Sequence, residues 1–365
     1  MSRVVLSVVG ARPNFMKLAP LARALAARSA VRHIIVHTGQ HYDPEMSDAF
    51  FRDLGLPRPH ANLDVGSGSH AQQTAAIMRA FEPVLLDTRP ELVLVYGDVN
   101  STVAAALVAA KLGVRVGHVE AGLRSRDWSM PEEINRVVTD RLSDLLFAPS
   151  RDAVENLRAE GLPAARIHFV GNIMIDALVA ALPEARRHNS CARYGVAERG
   201  YALVTLHRPS NVDDPATLGG VLAALDQLGA ERPILFPVHP RTRVRVQALG
   251  WVPRHAGLRV LPPVSYLEML GLTLGAGLVI TDSGGIQEET SYLGVPCLTV
   301  RPNTERPITC THGTNRLVSA EREAIIAAAQ EQWGHYAPNG CTIPRWDGHT
   351  AERIAAVLCE EERFD

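Results

Sequence analysis

Short apolar runs alternate along this chain with longer stretches in which apolar positions recur every three or four residues. Arg3 to Val9 is such a run and reads as a buried strand, while Phe15 to Ala27, rich in Leu and Ala, has helical spacing. Between them, Gly10-Ala11-Arg12-Pro13-Asn14 reads as a tight turn at the carboxyl end of a strand. Arg32 to His37 is the next strand, ending in Thr38-Gly39-Gln40-His41, and helical stretches follow over Pro44 to Leu54 and His70 to Asp87. Leu92 to Tyr96 and Val114 to Val119 are further strands, with an Ala- and Val-rich helix between them that opens at Gly97 to Thr102. Pro131 suits the first turn of a helix running to Leu142. Leu145 to Ala148 is a strand, Ser150 a cap for a helix over Ala153 to Glu160, and Ile167 to Val170 a last strand. Strand and helix alternating in this way predict a parallel sheet covered by helices.

Gly171-Asn172 marks a boundary, after which a helix over Ile175 to Leu182 leads into a charged, weakly patterned stretch ending near Arg199. The alternation then restarts. Tyr201 to Leu206 is a strand ending at His207-Arg208-Pro209, and Ala216 to Leu228 is a helix. Ile234 to Pro237 and Arg259 to Leu261 are strands, and Tyr266 to Leu274 is a helix. Ala276 to Ile280 is a strand that runs into Thr281-Asp282-Ser283-Gly284-Gly285. Ile286 to Leu293 is a helix, capped by Asp282 or Ser283 and stopped by Gly294-Val295-Pro296. Cys297 to Val300 is a strand, Ala320 to Gln332 a helix, and Thr350 to Glu361 a last helix with no strand after it. The expected architecture is α/β: two Rossmann-like domains facing each other across a cleft. The first spans residues 1–171, with a C-terminal helix (349–365) returning to it, and the second spans 172–348.

Composition narrows the function classes. Hydrophobic residues make up 46% and charged residues 21% of 365, and the net charge is −2 without any long basic run. That is the profile of a globular protein with no general affinity for nucleic acid. No apolar run reaches the ~18 residues of a membrane span, and Val4 to Val9 runs straight into Gly10, Arg12 and Pro13, as a first strand does and a signal peptide does not. The five cysteines are scattered and form no Cys-x-x-Cys pair, so a reducing cytoplasm is expected.

Candidate chemistry gathers at strand ends, where open parallel sheets bind ligands. Arg12, Gln40, Asp98 and Glu120 all follow strands of the first half, and Glu132 and Glu133 open a helix just beyond. Paired carboxylates can divide acid and base duties, although Asp98 could also cap a helix and Glu132 could serve a helix dipole. In the second half, His207 ends a strand and is expected to face the cleft. His118, inside a strand, reads as a hydrogen-bonded core residue. Ser283-Gly284-Gly285 offers unpaired N–H groups at a helix start, an anion site, with Arg12 or Arg306 in support. Glu289, about one turn further in, can reach sugar hydroxyls. No Gly-x-Gly-x-x-Gly, Walker or Gly-x-Ser-x-Gly pattern is present, and no His spacing suits a metal, so no cofactor and no metal are expected.

Eight stretches in order, Gly10-Ala11-Arg12-Pro13-Asn14-Phe15-Met16-Lys17, Thr38-Gly39-Gln40-His41, Tyr96-Gly97-Asp98, His118 to Arg124, Pro131-Glu132-Glu133-Ile134-Asn135-Arg136, His207-Arg208, Asp282 to Glu289 and Thr304-Glu305-Arg306-Pro307, resemble those of the non-hydrolysing UDP-N-acetylglucosamine 2-epimerases. The resemblance runs from Arg3 to about Val318. It implies a GT-B type fold and interconversion of UDP-GlcNAc and UDP-ManNAc, by loss of the C2 proton, anti elimination of UDP and re-addition to the resulting 2-acetamidoglucal. By position, it makes Asp98, Glu120 and Glu132 the acid/base carboxylates and puts His207 beside the sugar and diphosphate. It gives the phosphates to Arg12, Ser283, Gly284 and Gly285, the ribose to Glu289, and leaves Lys17 and Arg306 to complete the charged pocket. A homodimer is also implied. Many bacterial members carry a Gln-His-Arg-type stretch and a His-Arg-Arg run that help bind UDP-GlcNAc as an activator. Here these read Gln40-His41-Tyr42-Asp43 and His207-Arg208-Pro209, so weak or absent activation is expected.

Rival expectations are a 2-epimerase of a modified UDP-sugar such as a UDP-diacetamido-glucuronic acid (with Arg124, Arg126 or Arg208 facing its acid group), a hydrolysing epimerase, a UDP-sugar glycosyltransferase and a catalytically silent nucleotide-sugar-binding protein.

Overall fold

The structure, a computed structural model, describes residues 3–39, 55–337 and 342–360. Gln40, His41, Tyr42, Asp43, the helix expected over 44–54 and Cys341 lie outside the described residues. The chain divides into two compact units, Met1–Ala177 with Pro344–Asp365 and Leu178–Ile343.

In the first unit the described residues form a seven-stranded sheet of β1 (Arg3–Val9), β2 (Val31–His37), β3 (Ala61–Asn62), β4 (Leu92–Tyr96), β5 (Arg115–Val119), β6 (Leu145–Ala148) and β7 (Ile167–Phe169), in the order β3-β2-β1-β4-β5-β6-β7. Every pairing is parallel. Such strands are buried on both faces, which is why they read as continuous apolar runs. The chain winds outward from β1 in one direction, then returns to β4 and winds in the other. The turns after β1 and β4 therefore flank a topological switch point, where α/β sheets open to ligands.

The last helix, Thr350–Glu360, belongs to this unit. Its Ala351, Ile354, Ala355 and Leu358 recur at helical spacing and share a core cluster with Leu18, Leu21 and Leu25 of the helix Arg12–Ala26. Arg3 donates to the carbonyl of Leu358 at 2.8 Å, and the Asp176 carboxylate accepts the N–H groups of Thr350 and Ala351 at 3.2 and 2.7 Å. Burial raises the Asp176 carboxyl above its usual value.

The second unit has a six-stranded parallel sheet among its described residues: β8 (Ala202–Thr205), β9 (Ile234–Pro237), β10 (Leu258–Leu261), β11 (Leu278–Thr281), β12 (Cys297–Val300) and β13 (Asn315–Val318), ordered β10-β9-β8-β11-β12-β13. Its switch point lies between β8 and β11, where Thr205 and Thr281 are register partners and their hydroxyls lie 2.7 Å apart. The α/β class with two Rossmann-like units is thus present.

Several local expectations shift. The first helix begins at Arg12 rather than Phe15, because Pro13 fits a first turn and Asn14 Oδ1 accepts the N–H groups of Gly10 and Ala11 at 3.2 and 3.1 Å. Ser150 stands at the N-cap of the helix Arg151–Ala159 but makes no side-chain cap bond. The helix Pro240–Ala248 and the strands β3 and β13 were not legible from the pattern. Among the described residues no helix is long and apolar enough to cross a membrane.

Candidate active site

In the first unit, β4 and β5 end in register, Tyr96 opposite Val119, so the turns Gly97–Asp98 and Glu120–Gly122 leave the sheet side by side. Both turns use left-handed backbone, with φ of +64° at Gly97, +78° at Glu120 and +86° at Gly122. A Cβ on Gly97 would be strained at this φ and would lie 2.7 Å from Lys17 Nζ and 3.0 Å from Glu120 Oε2, pressing on both side chains. Glu120 accepts this backbone without being glycine. Such residues cost about 1–3 kcal/mol and persist where the surroundings over-determine them, often at functional sites. Here the surroundings are Lys17, whose buried ammonium is ion-paired with the buried Glu120 carboxylate.

The helix Pro131–Leu142 lies against both turns. Arg136 reaches Asp98 Oδ2 at 2.6 Å, and Asn135 donates to the Asp98 carbonyl at 2.9 Å. The adjacent glutamates at the start of this helix have separate fates. Glu133 is buried and accepts the N–H and hydroxyl of Ser125 at 3.0 and 2.9 Å, the N–H of Arg126 at 2.8 Å, and the Arg136 guanidinium. Burial alone would raise its carboxyl, but these donors and the Arg136 charge hold it below the ordinary value. Glu132 is half-buried, and its carboxylate bonds to no other described residue. Asp98, Glu120 and Glu132 are therefore three partly or wholly shielded carboxylates around one pair of turns.

In the second unit, His207 follows β8 and Asp282 follows β11. The fully buried Asp282 carboxylate accepts the main-chain N–H of His207 at 3.1 and 3.0 Å, that of Arg208 at 2.9 Å and Asn211 Nδ2 at 3.1 Å. His207 Nδ1 lies 2.9 Å from the same carboxylate. Burial opposes ionisation of Asp282, but the bond and charge of His207 and the N–H groups of Arg208 and His207 outweigh it, and its carboxyl sits below the usual value. An ionised carboxylate only accepts, so the His207 ring carries a proton on Nδ1 and its Nε2 is left for other partners. Asp282 is thus turned away from the helix it was expected to cap.

That helix spans Gly284–Leu293, and Ser283 at its N-cap makes no side-chain cap bond. Its first turn keeps the positive end of the helix dipole without a side-chain cap. Gly294 closes the other end at φ +70°. A Cβ on Gly284 would come within 2.7 Å of both Arg306 and Glu305, whereas one on Gly285 would meet nothing within 4 Å. Arg306 is ion-paired with Glu288 and Glu305, and Glu305 also takes Arg301 at 2.8 Å. Burial would raise Glu305, yet the arginines 306, 301 and 208 hold its carboxyl well below the carboxylate range. Glu289 is buried and accepts the Tyr266 hydroxyl at 3.2 Å.

The structure thus gathers Lys17, Asp98, Glu120 and Glu132 in the first unit, and His207, Ser283, Gly284, Gly285, Glu289 and Arg306 in the second. Arg12 is placed only by its backbone, as the first residue of its helix. Sequence reasoning gave no role to Arg136, Asn135, Glu305 and Tyr266 and read Asp282 only as a helix cap, whereas these residues hold the named ones in place. The Pro-Glu-Glu-x-Asn-Arg stretch carried the signal for Asn135 and Arg136, since residues three and four apart share a helix face. Among the arginines considered for an acidic sugar, Arg124 is buried between Asp140 (2.7 Å) and Glu160 (2.7 Å), while Arg126 is exposed and donates to Asn156 at 3.1 Å.

Strand-end carboxylates stand on one Rossmann-like unit, and an uncapped, glycine-rich helix start stands on the other. The family profile of UDP-N-acetylglucosamine 2-epimerase matches residues 23–359. The chain is 45% identical to the UDP-2,3-diacetamido-2,3-dideoxy-D-glucuronate 2-epimerase of Pseudomonas aeruginosa, over 98% of this chain and 99% of that one. It is 41% identical to the UDP-N-acetylglucosamine 2-epimerase of Methanocaldococcus jannaschii, over 96% and 97%. The crystal structure of the M. jannaschii enzyme in complex with UDP-GlcNAc and UDP superposes with a TM-score of 0.88 at 40% identity, covering 97% of this chain and 99% of that one. The chain belongs to the UDP-N-acetylglucosamine 2-epimerase family and is an epimerase of GT-B type fold.

Proposed function

We propose that the chain interconverts UDP-GlcNAc and UDP-ManNAc without hydrolysis. The observation that carries this reading is the set of carboxylates at the β4 and β5 turns, together with family membership. One carboxylate of Asp98, Glu120 and Glu132 removes the C2 proton. The C2–H electron pair forms the C1–C2 double bond, and the C1–O bond breaks with its electrons passing to the UDP phosphate. UDP then adds back to C1 of 2-acetamidoglucal as a proton arrives at C2 on the other face.

A C2 proton is weakly acidic, so elimination also needs stabilisation of the leaving diphosphate. That duty falls to the first turn of Gly284–Leu293, with Arg12, Arg306 and His207 in support, and Glu289 takes the ribose. Lys17 acts here through Glu120, with which it is paired, as well as by its charge. Asp282 joins the reading as the group that orients His207. No cofactor or metal takes part, and the enzyme works as a cytoplasmic homodimer with little activation by UDP-GlcNAc. Light scattering tests the dimer, and a long lag on UDP-ManNAc alone, abolished by trace UDP-GlcNAc, would contradict the last point.

A second reading, epimerisation of a UDP-diacetamido-glucuronic acid, is favoured by the 45% identity to the P. aeruginosa enzyme. NMR in deuterium oxide separates the two readings. Deuterium at C2 of UDP-GlcNAc with UDP-ManNAc appearing supports the first. Turnover confined to the acidic sugar supports the second. Free ManNAc would mean hydrolysis, and no exchange on either sugar would leave a binding role.

A further inference from the structure

The helix Pro131–Leu142 places Glu132, Arg136 and Asp140 four residues apart, which puts them along one face. Glu132 is assigned to the chemistry and Arg136 grips Asp98, but Asp140 has no part in either. It is fully buried all the same. One of its oxygens lies 2.6 Å from His118 Nδ1, and the other accepts the N–H of Gly122 at 3.0 Å and Arg124 at 2.7 Å. His118, also fully buried, points Nε2 at the carbonyl of Gly97 at 2.8 Å. Both ring nitrogens thus face acceptor oxygens.

We propose that His118 and Asp140 are positioning residues that tie the turn before Asp98 and the turn after Glu120 to one helix. The proposal rests on the catalytic reading of those two carboxylates. Gly97 immediately precedes Asp98, and Gly122 follows Glu120 by two residues. The bonds to their main-chain groups therefore restrain the backbone on which each carboxylate stands. Between these two anchored glycines stands Glu120, a non-glycine residue at φ +78°, and such backbone needs restraint from its surroundings to persist.

An apolar pair could fill the same space, and a buried polar pair gives little net stability over such a replacement. It could not, however, accept the Gly122 N–H or donate to the Gly97 carbonyl, and both would be left buried without a partner. The same helix holds Asp98 directly through Asn135 and Arg136. A single rigid element thus sets the spacing of Asp98, Glu120 and Glu132.

The test compares Asp140→Asn, His118→Leu and His118→Gln with the wild-type chain, each assayed where its melting curve shows it folded. Asp140→Asn and His118→Leu should lower kcat at least ~10-fold with KM within about twofold, since small misplacements of reacting groups act on the transition state. His118→Gln, whose amide can still donate to one acceptor, should recover part of that loss. Main-chain hydrogen exchange over residues 94–103 and 117–125 should quicken at least ~10-fold in Asp140→Asn, while residues 278–293 keep their protection. Unchanged kcat, or KM rising in step with the loss of kcat, would overturn the proposal, as would wild-type protection in both turns. A wild-type chain that epimerises neither UDP-sugar would sink the functional reading alone, and the exchange measurement would still decide whether the tether exists.

Discussion

His207 Nδ1 and the buried carboxylate of Asp282 lie 2.9 Å apart, and the same carboxylate accepts the main-chain N–H of His207 itself. Ring and backbone of one residue are thus fixed by one group, which orients the imidazole and sets its tautomer. Asp282→Asn keeps the shape but loses the charge, and is expected to lower kcat at least ~10²-fold, the scale of acid–base and orienting groups. It should also cost about 3 kcal/mol of stability, because several buried donors lose an ionised acceptor.

The pH dependence has a defined sign. The folded Asp282 carboxyl lies below its ordinary value of 3.8, so the unfolded chain takes up this proton first as pH falls. The stabilisation is complete above the unfolded value and is lost as pH drops through the folded one. The melting-temperature gap between wild type and Asp282→Asn should be widest near neutrality and shrink below about pH 4. A gap that stays constant into strong acid would contradict this.

Lys17 and Glu120 offer a separation of structure from chemistry. Lys17→Met leaves a buried carboxylate without its cation and should cost about 3–5 kcal/mol. Glu120→Gln alone should cut turnover at least ~10²-fold. The double variant should regain about 1–3 kcal/mol relative to the sum of the single changes and remain inactive, a coupling that thermal melts and turnover assays read separately. Strictly additive losses of stability would mean that the pair does not hold the turn.

Much of this arrangement is legible in the sequence. Apolar runs gave the strands, and strand ends gave Asp98, Glu120 and His207, because parallel strands deliver their exits to one rim. What stayed hidden was pairing across the sequence. Lys17 and Glu120 are 103 residues apart, and Asp282 and Arg208 are 74 apart, so no local pattern joins them. The Asp282 cap was misread for a related reason. Its local sequence matches an N-cap, but β8 and β11 are neighbours in the sheet, and the open N–H groups after β8 compete for the same carboxylate. The helix Pro240–Ala248 was missed because Arg241, Arg243 and Arg245 break the apolar spacing.

Glu132 and Glu133 stand next to each other in opposite circumstances, which predicts opposite phenotypes. Glu132→Gln should leave the melting temperature within about 2 °C, as for surface changes, while turnover falls at least ~10²-fold. Glu133→Gln removes the ionised acceptor of Ser125, Arg126 and Arg136 and should destabilise the fold by about 2–3 kcal/mol. Asp98→Asn should resemble Glu132→Gln in activity. Full turnover in both Asp98→Asn and Glu132→Gln would remove these carboxylates from the mechanism.

Two neighbouring glycines make the sharpest test of the helix start. A methyl at 284 would lie within 2.7 Å of Arg306 and Glu305, inside a buried ion network, so Gly284→Ala should cost about 1–3 kcal/mol through overpacking. A methyl at 285 meets nothing within 4 Å, and the backbone there lies outside the left-handed region. Gly285→Ala should therefore leave stability unchanged or raise it by about 0.5 kcal/mol, since alanine restricts the unfolded chain. In the proposed reading a diphosphate approaches the first-turn N–H groups through the open space beside Gly285. The same methyl should then weaken UDP binding about tenfold by holding the phosphates away from those donors. Calorimetric titration of UDP into a fully folded Gly285→Ala protein decides the matter, and wild-type affinity would take the diphosphate away from this turn.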